Sequence, residues 1–134
     1  MWITIFSPKK SRVAEGSRPT YTIAKHHPKG DYIMNIVVLA GGYSPEREVS
    51  LTAGSLIANA LIKNGHSVLL LDAYCGIREL PRDPFSLFKT EANYSHTISE
   101  EIPDLQKLKE ENGNSEALIG PNVLWLCRMA DRVF

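Results

Sequence analysis

Ten consecutive residues, Gly41-Gly42-Tyr43-Ser44-Pro45-Glu46-Arg47-Glu48-Val49-Ser50, combine the groups best suited to chemistry. Two adjacent glycines let backbone N–H groups come close to a ligand. A carboxylate such as Glu46 can hold an ammonium group. Arg47 can take a carboxylate or phosphate, or pair with Glu48. Glu46 and Glu48 also have a structural use, because acidic residues at a helix start complement its dipole and cap its free N–H groups. On residue type alone the two uses of Glu46 stand even. The string lacks G-x-G-x-x-G and G-x-x-x-x-G-K-[ST], so neither a dinucleotide site nor a P-loop is expected.

Such a string works only if rigid elements hold it. Ile36–Ala40 (IVVLA) is a continuous apolar run ending in two glycines, the pattern of a buried parallel strand followed by a turn. Val49, Ala53, Leu56, Ile57, Ala60 and Leu61 then recur with helical spacing and predict one apolar helix face. Either Ser44-Pro45 or Ser50 starts that helix, and Asn64-Gly65 stops it. Ser67–Leu71 is the second buried strand, ending at Asp72. Strand, helix and strand form a βαβ unit. The glycine-rich string therefore lies at the carboxyl end of a strand, where open α/β sheets bind ligands.

Residues 73–121 are weakly periodic and broken by Pro81, Pro84, Pro103 and Pro121. A connection this long is expected to be a functional loop or a flexible insert. Within it, Asp104–Glu111 is expected as a short exposed helix whose charges form a solvated face. Asn122–Ala130 predicts a further helix with Val123, Leu126 and Cys127 on one face. Asp131–Phe134 opens a third strand, which leaves the sheet unfinished at that edge. The expected fold is α/β, a small three-stranded parallel, Rossmann-like sheet, incomplete at its C-terminal edge.

Fifteen basic and fifteen acidic residues cancel over the 134-residue chain, so nothing global suggests nucleic acid or an anionic membrane. No apolar run approaches the roughly 20 residues of a membrane helix. Cys75 and Cys127 are the two cysteines, too few for a disulfide scaffold, and a cytoplasmic location is expected. Cys127 reads as a core residue and Trp125 and Tyr74 as packing or loop anchors. His66 reads as a solvated turn residue, and His96 has no partner in the sequence.

Residues 1–33 stand apart. They carry six basic residues against two acidic ones, whereas residues 34–134 carry nine against thirteen. No period emerges from them, which suits a disordered basic tail. A nucleic-acid arm is the other meaning of such charge. His26-His27 lack Cys, Asp or Glu at ligand spacing, so no metal site is expected. A third reading treats residues 1–33 as a mistranslated leader. Lys29-Gly30-Asp31 can be encoded by a purine-rich string like a ribosome-binding site, a normal spacer before Met34. Met34 would then be the true start.

The string Met34–Ser50, MNIVVLAGGYSPEREVS, resembles the opening of the D-alanine–D-alanine ligases, which make the dipeptide of bacterial peptidoglycan. Asn122–Phe134 is similar to that family's second helix and third strand, and the insert to its longer variants. The resemblance covers Met34–Phe134, about three-quarters of the chain. It implies a preATP-grasp domain over residues 34–134, with the insert at 73–121. It also implies that Glu46 anchors the ammonium of the first D-alanine and that Val49 lines that subsite. Ser50 matches the serine of the motif, with loop or helix capping as its first role and substrate contact as its second. In the whole family enzyme, ATP phosphorylates the first D-alanine and the amine of the second attacks the acyl phosphate, with Mg2+ neutralising charge.

The family's A-L-H-G histidine, ATP-grasp lysines, oxyanion arginine and magnesium carboxylates match nothing in these residues. The expectation is a truncated N-terminal portion with no catalytic residue, no cofactor and no metal site of its own, and no ligase activity alone. The second substrate is D-alanine, D-lactate or D-serine. Homodimers are the family habit. The competing expectation is a free-standing, non-catalytic α/β module that binds a small amino acid or a protein partner. A stable, cooperatively unfolding chain would favour the module, and marginal stability the truncated portion.

Overall fold

The computed structural model describes the backbone of residues 25–26 and all of residues 32–134. β1 (Lys25–His26) and β2 (Tyr32–Ile33) pair antiparallel, His26 opposite Tyr32. The other residues of the 1–33 segment lie outside the described residues, and the tail, arm and leader expectations fall on them.

β3 (Asn35–Ala40) leads through α1 (Arg47–Lys63) to β4 (Ser67–Asp72). These strands pair in parallel along their whole length, Asn35 opposite Ser67 and Ala40 opposite Asp72. A 3-10 turn (Pro84–Leu87) and α2 (Leu105–Glu111) follow, then α3 (Val123–Met129) and β5 (Arg132–Val133). The sheet order is β4-β3-β5, all parallel, as expected for a small Rossmann-like unit. Phe134 extends the β5 pairing, donating to Val37 O and accepting from Leu39 N at 2.8 and 3.0 Å. The chain leaves β3 for one side of the sheet and later returns to the other. The carboxyl end of β3 is therefore where the strand order reverses.

Strand pleat divides the apolar residues between two faces. Val37, Leu69 and Leu71 pack with Phe88, Val123 and Leu126 from the connection and α3. Ile36, Val38 and Val68 pack with Ala58 and Ile62 of α1. Burial on both faces explains why these strands read as unbroken apolar runs. Val123 and Leu126 are buried as expected, and Cys127 packs half-buried beside them.

The buried face of α1 matches only part of the predicted one: Ile57 and Leu61 pack against the core as expected, but the other predicted residues do not. Val49 and Leu56 are 57% and 68% exposed, and Ala53 and Ala60 are exposed too. Gly54, Ser55, Ala58 and Ile62 face the sheet instead. Close approach is the reason. A Cβ on Gly54 would lie 2.7 Å from the Cβ of Ala40 and 2.9 Å from Leu70 Cδ1. Small residues at the closest approach let the helix backbone settle on the strands, which leaves Val49 and Leu56 turned outward. Ser55 Oγ donates to Leu51 O, so its burial leaves no unpaired hydroxyl.

The connection is built rather than loose. Its two ends are tied together: Gly120 N donates to Ala73 O, Ile77 N to Pro121 O, and Asn122 Nδ2 to Ile77 O. Asp83 and Asp104 cap its 3-10 turn and α2 through their carboxylates. Asn112, nearly buried, bridges Tyr74 O and the Arg78 guanidinium. Lys89 forms an antiparallel bridge with Val68 on the outer edge of β4. The Tyr94 hydroxyl covers the same edge, donating to Val68 O and accepting from Leu70 N. The connection thus supplies the polar groups that an uncovered edge strand lacks. Among the described residues, no helix is long and apolar enough to cross a membrane.

Candidate functional site

The glycine-rich string lies at the carboxyl end of β3, bridging to α1. Gly41 and Gly42 have φ of +74° and +90°, a conformation that side chains resist. A Cβ on Gly41 would also meet the Asp72 carboxylate at 2.6 Å. Glycine is therefore needed here for fit against the neighbouring strand.

Both glycine N–H groups are already used. Gly41 donates to Ser50 Oγ at 3.0 Å, and Gly42 to Asp72 Oδ1 at 3.3 Å. Ser50 therefore ties the loop back to the helix. Its other candidate use, capping the start of α1, does not occur. Ser44 does not cap the helix either, because its Oγ accepts from Glu46 N at 3.2 Å. The helix begins at Arg47, with Glu46 in the N-cap position. With both amides spent and a carboxylate beneath them, this loop does not fit a phosphate group.

Glu46 is exposed and makes no side-chain capping bond to α1. The capping use of this carboxylate is thus absent, while its charge at the N-cap still complements the helix dipole. Val49 stands exposed one turn on, and Ser50 is half-buried. The three expected site residues share the first turn of α1, with Glu46 and Val49 toward solvent and Ser50 toward the loop.

Arg47 is turned onto the protein itself. Its Nη2 lies 2.8 Å from Asp72 Oδ2, its Nη1 donates to Gly42 O at 3.1 Å, and its Nε is 3.6 Å from Glu48. Glu48 in turn meets His96 Nε2 at 2.6 Å. Asp72 also accepts from the N–H groups of Tyr74 and Cys75. Burial and then the Asp72 charge push the Cys75 thiol up from its ordinary range, so it is a poor nucleophile.

Asp72 and His96 are the site residues that the sequence did not reveal. Asp72 carried one signal, its place at the carboxyl end of a parallel strand. His96 carried none, since its partner lies 48 residues away. Among the described residues no group of three His, Cys, Asp or Glu is placed to hold a metal ion.

Comparison with known proteins finds relatives over three-quarters of the chain. The chain is 40% identical over 106 residues to the D-alanine–D-alanine ligase of Lacticaseibacillus casei, covering 75% of this chain and 29% of that one. The chain is homologous to the D-alanine–D-alanine ligases. The ligase of Pediococcus pentosaceus is 36% identical over 108 residues, covering 75% of this chain and 30% of its own. A 39-residue stretch is 59% identical to the ligase of Lawsonia intracellularis, 29% of this chain and 13% of that one. The chain thus spans about three-tenths of the length of the Lacticaseibacillus casei and Pediococcus pentosaceus ligases. No family model and no solved structure matches.

Proposed function

We propose that this chain provides the amino-acid-anchoring region of a D-alanine–D-alanine ligase of peptidoglycan synthesis. Glu46 binds the ammonium of the first D-alanine, Val49 forms the apolar wall beside it, and Ser50 holds the loop through Gly41. The observation that carries this reading is the Glu46 carboxylate itself. It is exposed at the reversal point of a parallel sheet, unspent on capping, within a string that matches the ligase motif. A carboxylate in that position attracts a small cation and gives it a direction.

The chemistry of the whole enzyme needs ATP and Mg2+, and the glycine loop, its amides spent on Ser50 and Asp72, does not suit a phosphate group. The 134-residue chain is accordingly expected to form no dipeptide by itself, since one anchoring charge supplies neither alignment nor charge stabilisation. A cytoplasmic setting and D-alanine as the small-molecule partner go with this reading, as does a homodimer of the family kind.

Two measurements test it. The isotope-labelled chain titrated with D-alanine should show saturable amide shifts at residues 46–50, weakened at least about tenfold by Glu46→Gln, the scale of a lost charge-assisted contact. Equal responses in the Glu46→Gln variant would refute the anchor. Dipeptide formation from D-alanine and ATP by the chain alone would refute its inactivity.

A further inference from the structure

Arg47 and Asp72 take part in no step of the anchoring scheme, yet they form the most connected pair at the loop. Arg47 is the first residue of α1, and Asp72 the last of β4. Their side chains are only 12% and 16% exposed. Asp72 Oδ1 accepts three backbone N–H groups, from Gly42, Tyr74 and Cys75 at 3.3, 2.9 and 3.1 Å. Asp72 Oδ2 takes Arg47 Nη2 at 2.8 Å. The other arm of the guanidinium donates to Gly42 O at 3.1 Å.

Gly42 is therefore held at both its N–H and its C=O, by two residues that are themselves paired. Moving it would break a mostly buried ion pair and leave each charge poorly compensated. The guanidinium suits this task because its rigid fork reaches a carboxylate and a carbonyl at once. Glu48 flanks the fork at Nε and is backed by His96, which limits how Arg47 can swing.

We infer that Arg47 and Asp72 are a positioning pair that locks Gly42 and the first turn of α1 into one frame, and so fixes where Glu46 presents its carboxylate. This rests on the reading of Glu46 as the ammonium anchor and assigns that site two further residues. Neither one touches the amino acid. Each acts through the loop.

The test uses the complete 134-residue chain as wild type and as Arg47→Lys, Arg47→Met, Asp72→Asn and Glu46→Gln. The first readout needs no ligand. Amide hydrogen exchange at Gly42 should speed up at least about tenfold in Arg47→Lys, while Val37 and Leu71 keep their protection, because local opening is separable from global unfolding. Arg47→Lys keeps the charge and loses the fork, so it remains informative even where Asp72→Asn fails to fold. The second readout is titration with D-alanine, with D-lactate as the probe lacking an ammonium. Arg47→Lys should weaken D-alanine binding at least about fivefold without altering the midpoint of thermal unfolding by more than a few degrees.

Unchanged exchange at Gly42 in Arg47→Lys overturns the inference. So does faster exchange at Gly42 and in the core by the same factor, which marks a merely structural role. A weakening of D-alanine binding that Arg47→Met does not share also overturns it. Should the wild-type chain ignore D-alanine altogether, the anchoring role of Glu46 fails. The pair is then decided by exchange at Gly42, Glu46 and Arg47.

Discussion

The β3–α1–β4 unit and the connection from residue 73 to 121 are ordered by different means. In the first, apolar side chains meet across a pleated sheet, and order follows from their burial. In the second, Phe88 reaches the core and Ile77, Leu80, Phe85 and Leu87 pack part-buried against it, but polar anchors carry much of the order. Tyr74 and Phe88 are its two apolar side chains with the least exposure. The rest is held by side chains bonded to distant backbone, such as Tyr94 on β4, Asn59 on Tyr94, Asn112 on Tyr74 and Asn122 on Ile77. Apolar burial is non-directional and tolerates neighbours of similar size, whereas each polar anchor depends on one geometry. The lesson is that a stretch without hydrophobic period is not thereby a loose one.

The sharpest way to break this comparison is to damage each region by its own logic. Leu71→Ala empties a site that is 2% exposed at the centre of the unit. It should cost about 3 kcal/mol in urea unfolding, the usual scale for such a cavity. Gly54→Leu forces bulk between α1 and the strands and should cost about 2 kcal/mol. Leu56→Gln, on the exposed face, should stay within about 0.5 kcal/mol. Reversed costs for that pair would restore the face predicted from the large apolar residues.

Gly120→Ala probes the tied ends of the connection. The added Cβ would lie 2.3 Å from Tyr74 O and 2.7 Å from Gly76 N, and backbone cannot easily yield. A loss of about 2 kcal/mol is expected. Hydrogen exchange should show it opening residues 73–78 ahead of Val37. Uniform opening of the whole chain would mean that the connection and the sheet unfold as one unit.

Tyr94→Phe should have a smaller effect than Gly120→Ala, about 1 kcal/mol near neutral pH, from the loss of its hydroxyl bonds to β4. It also carries a pH signature. Burial holds the Tyr94 phenol above its ordinary value of 10.0, against the opposing hydrogen bond from Leu70 N. The folded chain therefore favours the neutral phenol. That contribution is complete below pH 10 and disappears as pH rises through the higher folded-state value. The wild type should lose stability in that alkaline range, and Tyr94→Phe should lose less. Parallel pH profiles for the two would remove Tyr94 from the edge of β4.

Much of this was legible in the chain itself. IVVLA and SVLLL announced two strands buried on both faces, because only a doubly covered strand can be apolar without alternation. Asn64-Gly65 marked the end of α1 through local bonding, and α2 lies one residue inside the expected Asp104–Glu111 because Asp104 caps it. The string GGYSPEREVS marked the loop at the carboxyl end of β3 and the likeness to the ligases through local pattern and spacing, which need no knowledge of distant neighbours. Tertiary structure alone decided which face of α1 goes inward, because that depends on how closely Gly54 approaches Ala40 and Leu70. It also decided what Ser50 and Arg47 bind, since Gly41, Gly42 and Asp72 reach them only once β4 lies beside β3. Helical period records which residues repeat along one element, and it carries no record of the strand that arrives beside it.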